Sequence, residues 1–282
     1  MNPILHEQDR IKKLLNEFLN PGFHTVTAPE FRARVICDWH RKQKRLLGKN
    51  EVVQIHPLLF IDHTDIFQKL KEVFSDPLVR GVYVHGSYAT GNYVDSSDLD
   101  LSIILENQIL PDNLIKLRDR IKDIDLLLRS VDPLCHHGPY FLTEKMLKNY
   151  LESYLPLDVW RHSKCLIGPN EIEFNVVKSE SHDKAEFEES VKYYNNPIMT
   201  DTEYDRKRFL CMANMIPAVL YPWKTGKYTT KYEATKWMLA EYPFTREWEA
   251  EISVRRQAGN YERINSLKQE TKDICNWIKE IG

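Results

Sequence analysis

The chain has 282 residues, 42% hydrophobic and 28% charged, with a formal net charge of −2 at pH 7, which suits one large globular domain or two ordinary ones. A pI near 6.6 gives no broad attraction for a polyanion, so long nucleic acid is set aside as the leading partner. The five cysteines (Cys37, Cys135, Cys165, Cys211, Cys275) are scattered and have no zinc-ribbon spacing; with neither a secretory leader nor a membrane-length apolar run, a cytoplasmic location is expected.

Ile4, Ile11, Leu14, Leu15, Phe18 and Leu19 recur at helical spacing and predict a helix over residues 1–20, ended by Asn20-Pro21-Gly22. A second helix is expected from Pro29 to Leu47, stopping at Gly48. It carries Arg32, Arg34, Arg41, Lys42, Lys44 and Arg45, with Lys49 just beyond, a run better read as a solvated helix face than as an RNA site. Asp65 to Phe74 places Ile66, Leu70 and Val73 on one face of a third helix, which Asp76-Pro77 ends.

The stretch Val82–Ile104 carries the chemistry. Val82, Tyr83 and Val84 read as a buried strand. His85-Gly86-Ser87 then opens a polar loop, and a second strand carries Asp98, Leu99, Asp100 and Leu101. Side chains alternate along a strand, so Asp98 and Asp100 share one face while Leu99 and Leu101 enter the core. Two carboxylates on one face repel unless a cation lies between them. Hard oxygen ligands without thiolate or imidazole suit magnesium, which keeps phosphate oxygens and waters as its other ligands. Gly86 lets a phosphate chain approach the backbone, and Ser87 adds a hydroxyl and neighbouring amides. An Asp-x-Asp pair alone is as often a surface feature. The His-Gly-Ser turn at this distance tips the reading to metal-assisted nucleotidyl transfer.

Pro111 opens a long helix to Val131, with Leu114, Leu117, Ile121, Ile124 and Leu128 inward. Leu134–Leu142 reads as the next strand, and residues 144–152 as a short helix. Asn170–Asp201 is polar and charged, and the domain junction is placed within 168–200. From Asp205 the pattern is helical, with Pro217 expected to kink it. Thr230 and Glu233 form a capping-box pair that puts Lys231 in the first turn of the next helix, beside exposed amides. A solvated lysine is the bland alternative. Trp248 through Ile281 supplies further helical packing positions.

Gly86, Ser87, Asp98 and Asp100 match the signature of the polymerase-β-like nucleotidyltransferase superfamily, which the chain resembles. The resemblance implies an α+β core, a mixed sheet with flanking helices, in which the two aspartates hold magnesium (two ions) and the serine turn grips a nucleoside triphosphate. It also implies a third carboxylate on the strand at Leu134–Leu142. Cys135-His136-His137-Gly138-Pro139-Tyr140-Phe141 has no acid; Asp132 and Glu144 bracket it, and His137 is the candidate base, since a neutral imidazole accepts a hydroxyl proton near neutral pH.

Thr225-Gly226-Lys227, Lys231, Ala234, Trp237 and Pro243, with the Leu166-Ile167-Gly168 turn upstream, are similar to the helical C-terminal domain of aminoglycoside (streptomycin/spectinomycin-type) adenylyltransferases. That resemblance implies that Lys231 contacts the triphosphate across an interdomain cleft. It divides the chain into a nucleotidyltransferase domain with an N-terminal helical extension at 1–168 and an all-helical C-terminal domain at 169–282. The expected reaction moves a nucleoside monophosphate, AMP from ATP, to a hydroxyl of a small molecule such as an aminoglycoside. The alternatives are adenylylation of a protein hydroxyl, as in antitoxin-like relatives, and a nucleotide-binding regulator impaired in catalysis.

Overall fold

The computed structural model describes residues 48–59, 64–95, 97–107, 123–124, 126–134, 139–153, 155–177, 180–195, 202–262 and 264–281. The helices expected at 1–20 and 29–47, and His136 and His137, lie outside the described residues. Two compact units divide the chain, one drawn from residues before 94, 97–155 and 159–178, the other from 94–96, 156–158 and 179 onward.

The first unit holds β1 (Lys49–Gln54), β2 (His56–Pro57), α1 (Thr64–Val73), β3 (Val79–Val84), α2 (Gly86–Thr90), β4 (Leu101–Leu105), β5 (Tyr140–Thr143), α3 (Glu144–Leu147), most of α4 (Leu157–His162), β6 (Lys164–Ile167) and β7 (Glu171–Val176). A five-stranded sheet runs in the order β2-β6-β3-β4-β5. β3 is antiparallel to both its neighbours, whereas β2/β6 and β4/β5 are parallel. The sheet is therefore mixed, as expected.

β3 is central because Val79–Val84 can be covered on both faces: Gly81 through Val84 are all buried. Val82 and Val84 point to one side, where Leu99, Leu101, Ile103 and Leu105 join Phe67 and Leu70 of α1 and Phe74 just beyond it. Ile124 and Leu128, from the helix expected before Val131, enter the same core. Tyr83 points to the other side, into an aromatic cluster in which Trp160 meets both Tyr83 and Phe174. Asp76 ends α1 as read: its Oδ1 accepts from the Leu78 amide at 2.9 Å, turning the chain into β3.

Several elements differ from the sequence reading. Part of the polar stretch at Asn170–Asp201 is ordered structure. Glu171–Val176 is strand β7, antiparallel to β1 with Lys49 opposite Val176 and Gln54 opposite Glu171. Its burial alternates, with Ile172, Phe174 and Val176 inward between exposed Glu171 and Glu173. The charged outward positions masked this period-2 pattern. The helix expected over 144–152 ends at Leu147, because the Tyr150 amide leaves the helical ladder to donate to Asn175 O at 2.8 Å. Asp98 and Asp100 lie in the extended segment before β4, which starts at Leu101. The His85-Gly86-Ser87 loop becomes the helical turn α2.

The second unit is helical: α5 (Glu180–Asn195), α6 (Glu203–Ala213), α7 (Ile216–Thr225), α8 (Lys231–Glu241), a 3₁₀ turn at Pro243–Thr245, α9 (Arg246–Gln257) and α10 (Asn265–Glu280). α7 packs on α5 and α8, and α10 packs on α5. Pro217 does not kink a continuous helix. The chain breaks at Asn214-Met215, and Pro217 sits in the first turn of α7, where its missing N–H leaves no ladder bond unmade. Thr230 caps α8 as read, its Oγ1 accepting from the Glu233 amide at 3.3 Å. Among the described residues, no helix is long and apolar enough to cross a membrane.

Candidate active site

The candidate site forms where β3 ends and the chain turns back toward β4. His85 is extended (φ −117°, ψ −174°), and Gly86 takes φ +61°, a left-handed conformation that disfavours any side chain. The swing between them starts α2 with Ser87 in its first turn. Gly91 closes α2 at φ +76°, its amide donating to Ser87 O. A second reason for glycine at position 86 is spatial. A Cβ there would lie well inside van der Waals contact distance of Asp100 Oδ2 and only 3.4 Å from Asp100 Cγ. The Asp100 carboxylate thus rests directly over the bare backbone of the turn.

The return segment carries both aspartates. The His85 amide donates to Asp100 O at 2.9 Å, continuing the β3/β4 ladder one step past the Val84–Leu101 pair. That bond holds the segment extended, so alternation persists: Leu99 and Leu101 enter the core, and Asp98, Asp100 and Ser102 fall on the other face. Asp98 is buried and Asp100 half-buried. Gly86, Ser87, Asp98 and Asp100, the residues singled out by the sequence, are thereby gathered around one turn.

Beneath this face lies His85. Its ring is 3% exposed, with Nδ1 at 2.5 Å from Ser163 Oγ and Nε2 at 2.5 Å from Ser102 Oγ. Trp160 packs edge-on against it, centroids 4.9 Å apart. Burial pushes the imidazole pKa down to about 4 against the opposing pull of the Asp100 charge, so the ring is neutral near pH 7. Tyr83, on the same face, has its phenol pKa raised, by burial first and by Cys165 second. His85, Ser102 and Ser163 were not read as site residues. A signal existed for Ser102, since the alternation through Asp98 and Asp100 continues to it; none existed for Ser163, which lies 78 positions from His85.

The bracketing acids stand elsewhere. Asp132 Oδ1 accepts from the Leu134 amide at 3.0 Å, and Glu144 receives the Asn107 side-chain amide at 3.3 Å. Among the described residues, no group of three His, Cys, Asp or Glu side chains could hold a metal ion. The donor set is thus the Asp98–Asp100 pair. Two oxygen-donor carboxylates beside a turn whose Gly86 lacks a Cβ fit magnesium, which needs only one or two protein carboxylates when phosphate oxygens complete its shell.

Lys231 belongs to the second unit, as the first residue of α8. With the buried Asn214 amide turned so that its oxygen faces the two cations, it accepts from Lys231 Nζ at 2.8 Å and also from Arg256. Two cations thus converge on one amide, an arrangement with no local sequence signature.

Two comparisons bear on this arrangement. A family model described as polymerase beta, nucleotidyltransferase, matches residues 68–149, a range holding α2 and both aspartates. The chain belongs to this nucleotidyltransferase family. A relative of Methanocaldococcus jannaschii, named "Putative protein adenylyltransferase MJ1305", is 30% identical over 118 residues, an alignment covering 33% of this chain and 78% of that protein.

Proposed function

We propose that this protein transfers the adenylyl group of ATP, with magnesium, to a hydroxyl on another protein. The carrying observation is the Asp100 carboxylate seated over Gly86, where a Cβ would collide with it, with Asp98 two positions away on the same face. Gly86 and Ser87 offer the phosphates a close backbone approach and a hydroxyl. Asp98 and Asp100 would hold magnesium and, with the turn, would position the triphosphate for attack by the entering oxygen. Magnesium, when bound there, neutralises charge on the phosphate oxygens and on the leaving pyrophosphate. The new P–O bond forms to the acceptor oxygen, the bond to the β-phosphate bridging oxygen breaks, and the acceptor proton is lost to a base. His137 is our candidate for that base, on the chemistry of a neutral imidazole, and Lys231 a further phosphate contact, on the resemblance alone.

A protein acceptor is put first because it is what the archaeal relative's name states. A small hydroxylated acceptor is the second reading. It is favoured by the helical unit, whose Thr225-Gly226-Lys227 and Lys231 resemble aminoglycoside enzymes, and by an alignment that leaves two-thirds of this chain unmatched by that relative.

The test uses α-labelled ATP and magnesium with candidate proteins and a panel of hydroxylated small molecules, following pyrophosphate and the labelled product. Asp98→Asn and Asp100→Asn should each lower transfer on the order of a hundredfold or more while leaving the fold intact. Wild-type turnover in both variants overturns the assignment. Nucleotide binding without turnover on any acceptor would indicate the catalytically impaired regulator instead.

A further inference from the structure

We propose that His85 is a positioning residue for nucleotidyl transfer, its buried ring tying the Asp98–Asp100 segment to the Gly86–Ser87 turn and to the end of α4. This rests on the reading of the aspartates as metal ligands.

Ser163 Oγ donates its single proton to Val159 O at 2.8 Å, so toward the imidazole it can only accept. Nδ1 of His85 must therefore carry a proton and donate to Ser163. In the neutral ring Nε2 is then bare, and it accepts from the Ser102 hydroxyl. The result is a one-way chain from Ser102 on β4, through the ring, through Ser163, to a carbonyl of α4. All three side chains are buried. An unmade bond in such a place costs about 1–3 kcal/mol, so the register of the three segments is strongly held.

The chain bears on the site through β4. Ser102 lies two positions beyond Asp100 on the same face, and the His85 backbone already holds Asp100 O. One residue therefore grips the return segment twice, by its amide at Asp100 and by its ring at Ser102, and its next neighbour is Gly86. The His85 side chain thus helps to fix the distance from the Ser87 turn to the carboxylates. The ring cannot itself serve as the proton acceptor for a substrate: it is 3% exposed and both nitrogens are engaged. Its part is to place the aspartates.

The full-length protein without nucleotide is titrated with Mn²⁺ by electron paramagnetic resonance, and histidine ring ¹⁵N spectra are recorded. Ser102→Ala and His85→Asn should weaken Mn²⁺ affinity about tenfold to a hundredfold, as loss of a partner behind a metal ligand does elsewhere. Trp248→Phe, a packing change in the helical unit, should leave Mn²⁺ affinity at the wild-type value. The wild-type spectrum should show the His85 ring protonated at Nδ1, with the Nε2 resonance moving in Ser102→Ala. Wild-type Mn²⁺ affinity in folded Ser102→Ala overturns the inference, as does an Nε2-protonated ring. If His85→Asn fails to fold, Ser102→Ala, which removes only a hydroxyl, decides. Asp98→Asn separates the two readings: if it loses Mn²⁺ binding while Ser102→Ala does not, only the role of His85 falls. If Asp98→Asn binds as wild type, the metal reading falls and this one with it.

Discussion

Replacing Gly86 with alanine sets two effects of different size against each other. The first is conformational. Gly86 sits at φ +61°, and a Cβ in that region costs roughly 1–2 kcal/mol. For a chain of this size that lowers Tm by a few degrees and leaves the fold populated. The second is a collision, since the new methyl would overlap Asp100 Oδ2. The carboxylate would have to retreat on the order of 1 Å to regain ordinary contact. A displacement of that size in a positioned reacting group costs about a hundredfold in rate. Gly91 is the matched control: it takes φ +76°, but a Cβ there meets nothing within 4 Å. Gly86→Ala and Gly91→Ala should therefore lose similar stability, read by thermal unfolding. Only Gly86→Ala should lose Mn²⁺ affinity and pyrophosphate release. Equal losses of function in the two variants, or wild-type function in Gly86→Ala, would refute the claim that Asp100 rests on the turn.

Stability should also depend on acid in a defined window. His85 is held neutral down to about pH 4 by burial, against an ordinary value of 6.5. The unfolded chain therefore takes up the proton first as pH falls. The native state keeps its full margin above pH 6.5 and loses about 3 kcal/mol from this residue between pH 6.5 and 4. Urea denaturation across that range measures the loss, and a His85 ring titrating near pH 6.5 by NMR would contradict it. In the helical unit, Trp248 is 1% exposed and donates through Nε1 to the buried Thr271 Oγ1 at 2.8 Å. Trp248→Phe removes that bond and part of the ring, so unfolding free energy should fall about 1–3 kcal/mol. An unchanged urea midpoint would show that the contact carries no stability.

The residues legible in the sequence are those whose geometry is set by near neighbours. Asp98 and Asp100 share a face because a strand alternates, and the ladder bond from His85 to Asp100 keeps that alternation even though β4 itself begins at Leu101. The Asp76 turn and the Thr230 cap were readable for the same reason, since their donors lie two or three residues away. Pro217 was readable as a disturbance but not as a helix start, because that depends on where the preceding helix stops. Tertiary structure alone decided the rest. β1 finds β7 more than a hundred positions away, Ser163 reaches His85 across the sheet, and Asn214 gathers Lys231 and Arg256 from two other helices. Such pairs form because burying one polar group requires a partner for it. That requirement leaves no periodic trace in a sequence when the partner arrives from a distant segment.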